Sequence, residues 1–135
     1  MKYLKTSEIY KNSTGTLTYN TDTEMAHSYN WYVLAKRFNG VMYINTYAYS
    51  NTTCKHIRQL EALFMELGID YKTIEAPKGL QSLDESLQLY KHRAINIQNL
   101  INKPKTRKAK NLERMSDLVS IMAKISEVTY LKGGA

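Results

Sequence analysis

The chain has 135 residues and a formal net charge of +7, and apolar residues make up 43% of it and charged residues 23%. That length fits one domain with its own hydrophobic core, and the composition excludes disordered, collagen-like and disulfide-scaffold chains. A single cysteine, no apolar leader and no run of 18 apolar residues predict a cytoplasmic protein without a membrane span.

Short runs rich in Thr, Tyr and Ile predict a β-sheet in the first part of the chain. Residues 7–11 and 15–21 are expected to form two short strands separated by a turn. Residues 29–38 and 41–50 flank Asn39-Gly40, the dipeptide that best accepts the positive φ angles of a type I′ hairpin turn. The strongest local prediction is therefore a hairpin over residues 29–50.

The turn sets the register of this hairpin and divides its side chains between two faces. The tyrosine-rich face can receive a base, form a subunit contact or remain a half-solvated sheet surface. The predicted pairs are Phe38 with Val41, Lys36 with Tyr43, Leu34 with Asn45, and Tyr32 with Tyr47. The predicted core face holds Trp31, Val33, Ala35, Met42, Ile44 and Ala48, and the tyrosine-rich face holds Asn30, Tyr32, Lys36, Tyr43, Asn45, Tyr47 and Tyr49.

A helix over residues 53–67 is predicted after the hairpin. It follows a run of good capping residues, repeats apolar side chains at helical spacing and stops at Gly68. Alternation over residues 69–76 predicts one more short strand. Residues 1–76 are thus expected to form an antiparallel sheet with one packed helix.

Two long helices over residues 82–130 are predicted to complete a single α+β domain. A capping box of Ser82 and Glu85 opens a helix over 83–101, and a second helix begins near Pro104 and runs to about Tyr130. The second helix has two apolar seams, and leaving both in water is costly. We therefore predict a helical hairpin that oligomerises, unless the sheet covers one seam within a subunit. The seams are Leu112, Met115, Val119 and Met122, and Leu118, Ile121, Ile125 and Val128.

The search for catalytic and metal-binding patterns is negative. His27, His56 and His92 lie about 30 residues apart, without cysteine or carboxylate partners at metal-ligand spacing. Neither His27 nor His56 has the hydroxyl residue that a His-x-Thr/Ser phosphodiesterase motif requires. Phosphate loops, nucleophile elbows and dinucleotide motifs are missing. We therefore expect a binding protein with no metal and no cofactor, and not an enzyme.

The positive charge is concentrated between residues 91 and 114. This window holds eight basic residues and one acidic residue, Glu113, whereas the rest of the chain holds 11 of each. Such a cluster is typical of proteins that bind phosphates, although basic runs are also common on solvated surfaces.

Within this window, helical spacing places Arg107, Lys110 and Arg114 on one face near a helix start, where they can grip a diphosphate. The preceding helix can supply a second wall of cations, together with amides that recognise sugar hydroxyls and base edges. Its candidate residues are Lys91, Arg93, Asn96 and Asn99.

Residues 27–32 (HSYNWY), residues 45–53 (NTYAYSNTT), His56 in the following helix and the basic C-terminal helical pair together resemble a phage protein family. The family is the first type of Thoeris anti-defence sponge proteins, and the similarity covers nearly the whole chain. It implies a small α+β homo-oligomer, a dimer or a trimer of dimers, that sequesters glycocyclic ADP-ribose signals without degrading them. Some family members also hold cyclic oligonucleotides in separate sites between subunits.

The resemblance also suggests ligand-binding residues. Arg107 and Arg114 are the best matches to arginines of the terminal helix, and Arg58 is a further candidate from the earlier helix. Leu80 and Leu83 stand where the family has an aromatic stacking residue, so a tyrosine must take that role, and we include Tyr47 as a candidate.

Two other functions fit the same observations. A small basic nucleic-acid-binding protein would use the +7 window and the tyrosine-rich face. A protein-interaction inhibitor of a host enzyme would use the apolar seam of the terminal helices.

Overall fold

The structure is a computed structural model that describes residues 4–6, 8–102 and 108–134. Seven strands form one sheet in which their spatial order follows the chain order. Three α-helices and one 3₁₀ turn complete the described part of the chain. The strands are β1 Leu4–Thr6, β2 Ile9–Lys11, β3 Leu17–Asn20, β4 Met25–Ser28, β5 Tyr32–Phe38, β6 Val41–Asn45 and β7 Tyr71–Ile74. The helices are α1 Asn51–Leu67, α2 Leu83–Ile101 and α3 Lys108–Gly134, and the 3₁₀ turn is Leu80–Ser82.

The α+β class and the order of sheet, helix and helical hairpin are confirmed. Strands β1 to β6 pair antiparallel to their neighbours. Strand β7 returns after α1 and pairs parallel to β6, with Tyr43 opposite Lys72. A parallel pair needs a crossover connection, and α1 supplies it. The antiparallel sheet expected over residues 1–76 therefore has one parallel edge strand.

The β5–β6 hairpin turn is confirmed. Asn39 has φ = 52° and Gly40 has φ = 76°, the two positive angles that a type I′ turn requires. The predicted pairs of Phe38 with Val41 and of Lys36 with Tyr43 are present. The predicted pair of Tyr32 with Tyr47 was wrong, because β6 ends at Asn45.

A β-bulge changes which side chains of β5 share a face. Ala26 lies opposite Ala35 and His27 lies opposite Val33, so Leu34 is an extra residue in β5. Leu34 and Ala35 consequently both face α1, and Val33 faces the other side of the sheet. The prediction that Val33 and Ala35 share a face was wrong because strict alternation cannot include this bulge.

Both faces of the sheet are covered by helices. Helix α1 packs on one face, and α2 and α3 pack on the other. The core on the α1 side consists of Leu17, Tyr19, Ala26, Tyr32, Leu34, Ala35, Met42, Ile44, Ile57, Leu60, Leu63 and Phe64. The core on the other side consists of Val33, Phe38, Ile74, Ala76, Leu80, Leu83, Leu87, Tyr90, Val128 and Leu131.

The tyrosine-rich face expected from the sequence does not exist as a continuous surface. Tyr32 and Asn45 are buried, and Tyr43 packs against the core under α2 and α3. Trp31 and Ala48, which were expected in the core, are exposed. The second helical layer accounts for the position of Tyr43, whereas Trp31 and Ala48 are exposed because they lie outside β5 and β6.

Helix α1 begins and ends as its sequence predicts. The Ser50 hydroxyl accepts a hydrogen bond from the backbone N–H of Thr53 at 3.1 Å, and Gly68 ends the helix with φ = 68°. Helix α2 has its predicted bounds, but the Ser82 side chain does not cap it. The 3₁₀ turn runs directly into α2, so the capping box with Glu85 does not form.

Candidate functional site

The half of the α2–α3 hairpin that lies away from Leu83 and Leu131 has no fully buried side chain among its described residues. Near the sheet, Leu83, Leu87 and Tyr90 of α2 and Val128 and Leu131 of α3 are buried. From Lys91 to Asn102, and from Lys110 to Glu127, none of the described side chains is fully buried. This half of the hairpin therefore presents its side chains to the surroundings.

One apolar seam of α3 is covered within the subunit and the other is not. Ile121 and Ile125 pack against the core under the hairpin, and Val128 belongs to that core. Four apolar side chains on the other seam are each more than half exposed, and we call them the α3 stripe. The α3 stripe consists of Leu112, Met115, Val119 and Met122.

The structure places the predicted basic residues along this hairpin. Lys91 and Arg93 are exposed on α2, Lys110 is exposed near the start of α3, and Arg114 is partly buried one turn later. Arg107 lies outside the described residues, as does the predicted helix start near Pro104.

The two helices keep these cations apart within one chain. Gln98 of α2 and Leu118 of α3 line the same groove between the helices, so they lie at one level of the hairpin. Lys91 is seven residues from Gln98 toward the sheet, and Arg114 is four residues from Leu118 toward the tip. At 1.5 Å per residue, the backbones of Lys91 and Arg114 lie about 16 Å apart along the hairpin axis.

The groove between α2 and α3 has a volume of about 450 Å³ and a mostly apolar wall. Lys91 is the one predicted site residue among those that line it. Asn96 and Asn99 are exposed on α2 and do not line this groove. The lining residues are Lys91, Ala94, Ile95, Gln98, Leu118, Met122 and Ile125.

Tyr90 forms a polar cluster where α2, α3 and β7 meet. Its hydroxyl donates a hydrogen bond to the backbone carbonyl of Glu75 at 2.9 Å. The Glu75 carboxylate pairs with the Lys124 ammonium at 2.8 Å, and that ammonium lies 6.0 Å from the centre of the Tyr90 ring. Sequence reasoning missed this cluster, because Glu75 and Lys124 meet only when α3 packs beside β7.

Two predicted residues lie close enough to Tyr90 to affect it electrostatically. Burial raises the pKa of the Tyr90 hydroxyl above its ordinary value, and the Glu75 carboxylate raises it further. The Arg93 guanidinium acts in the opposite direction and lowers that pKa, whereas Tyr47 raises it. Tyr47 and Arg93 therefore both act on the Tyr90 hydroxyl. Arg58, in contrast, is exposed on α1, on the opposite face of the sheet.

His56 of α1 is buried among hydroxyl groups. Its Nε2 lies 2.9 Å from Thr16 Oγ1, and its Nδ1 lies 2.6 Å from Ser28 Oγ. A serine beside a histidine is also the arrangement of an activated nucleophile, but a nucleophile must reach its substrate. Ser28 is completely buried, so these bonds link β4 and the residue before β3 to α1.

This burial makes stability depend on pH. Burial lowers the pKa of His56 below its ordinary value of 6.5, so the unfolded chain binds a proton more readily than the folded protein. We expect the free energy of unfolding to be at its full value above pH 6.5 and to fall as the pH drops below it. Urea unfolding at pH 7.5 and pH 5.5 measures this change. His92→Gln, at an exposed position on α2, should retain this pH dependence, and His56→Gln should reduce it. An equal change in the free energy of unfolding in the two variants would show that His56 is not its source.

Within residues 4–6, 8–102 and 108–134, no three His, Cys, Asp or Glu side chains lie together in a group that could hold a metal ion. Over the same residues, none of the helices combines the length and apolar content needed to cross a bilayer. Comparison of the chain with family models, curated proteins and solved structures gives no match.

Proposed function

We propose that the protein sequesters a cyclic nucleotide immune signal of the glycocyclic ADP-ribose type, without degrading it, between the hairpins of two copies. In this proposal it is a phage anti-defence protein that acts in the cytoplasm of the infected bacterium. The observation that carries the proposal is the exposed α3 stripe, which runs beside the basic residues of the same hairpin. The resemblance in sequence supplies the class of ligand.

Pairing of two copies explains how separated cations can form one site. The α3 stripe runs from Leu112 to Met122, so its middle is residue 117. An antiparallel contact centred there puts Arg114 of one copy level with residue 120 of the second copy. Residue 120 is in turn level with Asn96 in the hairpin, by the same register that aligns Gln98 with Leu118. In the proposed pairing, a diphosphate between the copies therefore lies at the level of Arg114 of one copy and Asn96 of the other, with Arg93 about one turn closer to the sheet.

The charge of the hairpin gives the ligand a further role. Like-charged side chains that meet across an interface repel each other, and a bound diphosphate offsets this repulsion with charge-assisted hydrogen bonds. Ligand binding and association of the two copies are therefore coupled. Near this site the Glu75 carboxylate pairs with the Lys124 ammonium, and no ion pair of Arg93 is found among the residues that the structure describes.

Arg114→Ala is expected to weaken binding of glycocyclic ADP-ribose by about 1.5–3 kcal/mol, because the variant loses a charge-assisted hydrogen bond. Isothermal titration calorimetry measures the affinity, and Lys72→Ala, at an exposed position on the sheet edge, is the control that removes an equal charge. Arg107→Ala is expected to act in the same direction.

Two results would contradict the proposal. The first is unchanged affinity in Arg114→Ala with a native circular dichroism spectrum. The second is recovery of a hydrolysed product after the complex is heat-denatured, since sequestration returns the ligand intact. A steep salt dependence of binding would instead indicate a nucleic acid on the hairpin. In that case log K falls with the logarithm of the salt concentration, with a slope of about −0.7 to −0.9 per phosphate neutralised.

A further inference from the structure

Three exposed aromatic side chains lie near one corner of the sheet, away from the α3 stripe. Tyr29 and Trp31 belong to the turn between β4 and β5, and Tyr49 belongs to the loop between β6 and α1. They are 41%, 59% and 43% exposed, respectively. We call these three residues the aromatic corner.

Buried groups hold the rings of the aromatic corner in place. The ring of Tyr32, which is buried, meets the Trp31 ring edge to face at 5.3 Å and the Tyr49 ring at 4.8 Å between centroids. The Tyr32 hydroxyl is fixed by a hydrogen bond from the Asn45 amide at 3.0 Å. Tyr29 packs edge to face against the buried His56 ring at 5.6 Å. These exposed rings are therefore preorganised, and they lose little entropy when a ligand stacks on them.

The segment that carries the aromatic corner has basic side chains and no acidic ones. Residues 25–60 contribute the turn, the loop and the first part of α1, and they contain no aspartate or glutamate. Lys55 and Arg58 follow Asn51 at helical positions i+4 and i+7, so all three lie on one face of α1, and all three are exposed. This face begins directly beside Tyr49, and its cations lie about 6 Å and 10 Å along the helix axis from Asn51.

We propose that the aromatic corner and the cationic face of α1 form a binding site for single-stranded nucleic acid, with bases stacked on Trp31 and Tyr49 and the phosphate backbone along Lys55 and Arg58. Stacking on aromatic rings beside a row of cations is how proteins bind single strands without reading their sequence. The site uses none of the residues of the hairpin, so it does not depend on the proposed function. It also gives a role to Arg58, which lies on the opposite face of the sheet from the hairpin.

Trp31 is the only tryptophan of the chain, so its fluorescence reports directly on this site. A short oligothymidylate is expected to quench the fluorescence, and an abasic oligomer of equal length is expected to bind more weakly and to quench little. In anisotropy titrations with a labelled oligothymidylate, Trp31→Ala should weaken binding by at least about five-fold, and Trp31→Phe should retain much of the affinity. Arg58→Ala should weaken binding and flatten its salt dependence.

The controls separate this proposal from the hairpin. Tyr130→Ala removes an aromatic ring of similar exposure on α3 and should leave oligonucleotide binding unchanged, as should Arg114→Ala. Unchanged fluorescence, or equal binding of the oligothymidylate to Trp31→Ala and to the wild-type protein, would overturn the proposal. Equal binding of the abasic oligomer would overturn it as well, because the interaction would then be one of charge alone.

Discussion

Asn45→Ala is expected to destabilise the folded protein by about 3–5 kcal/mol, a large part of the stability of a domain of this size. The buried Asn45 amide donates hydrogen bonds to Tyr32 at 3.0 Å and to the Ala76 carbonyl at 2.8 Å. Its carbonyl accepts from the backbone N–H groups of Ala76 at 2.9 Å and Tyr47 at 3.0 Å. Alanine removes the side-chain carbonyl that these two N–H groups use as acceptor, which lowers the free energy of unfolding by about 1–3 kcal/mol for each. It also leaves a small cavity.

The effect should reach both proposed sites, because Asn45 joins the end of β6 to the segment that leads into α2. Tyr32, the support of the aromatic corner, loses a hydrogen bond, and Ala76 in the core under the hairpin loses two. Urea unfolding measures the change. Asn96→Ala, at an exposed position on α2, should stay within about 0.5 kcal/mol of the wild type. A loss below about 1 kcal/mol in Asn45→Ala would contradict this account.

The elements that were predictable from sequence carry strong local signals. Asn39-Gly40 gave the hairpin and two of its pairs because few dipeptides tolerate two successive positive φ angles. Ser50 and Gly68 gave the ends of α1 because both act within a few residues of their own position. In contrast, β1 and β4 were not predicted, although β2 and β3 of the same lengths were, because no turn signal in the sequence marked them.

The arrangement of faces was not predictable, because it depends on distant parts of the chain. The bulge at Leu34 is visible only through pairing with β4, and it breaks the alternation that placed Val33 and Ala35 on one face. The sequence also cannot indicate that α2 and α3 cover the second face of the sheet. Tyr43 therefore packs under α2 and α3, although the alternation in its own strand placed it on the tyrosine-rich face.

The candidate site was predictable in its residue types and not in its geometry. Lys91, Arg93, Lys110 and Arg114 lie on the two helices expected, but the pairing of α2 with α3 decides that Lys91 and Arg114 are separated along the hairpin. The pair of Glu75 with Lys124 joins residues 49 positions apart, and no local pattern predicts it. The exposed Trp31 is the clearest case, because its apolar character and its alternation both indicated burial.

Val119→Glu is expected to raise the dissociation constant between copies by at least about 100-fold, because it puts an unpaired carboxylate at the centre of the α3 stripe. Val119 is 68% exposed within one subunit, so the substitution should not affect folding. If a second copy covers the stripe, the carboxylate must lose its hydration without gaining a partner, which costs several kcal/mol. Sedimentation equilibrium measures the association, and circular dichroism checks the fold.

Gln88→Glu adds the same charge at an exposed position of α2 near the sheet, and it should leave the association unchanged. Since the proposed diphosphate site is completed by a second copy, Val119→Glu should also lose most affinity for glycocyclic ADP-ribose, although it changes no cation. A wild-type protein that sediments as a monomer at micromolar concentration with ligand present would contradict the pairing of hairpins. Ligand binding that survives in monomeric Val119→Glu would instead place the site within one subunit, and Arg93 beside Tyr90 and Tyr47 would then be the cation to replace next.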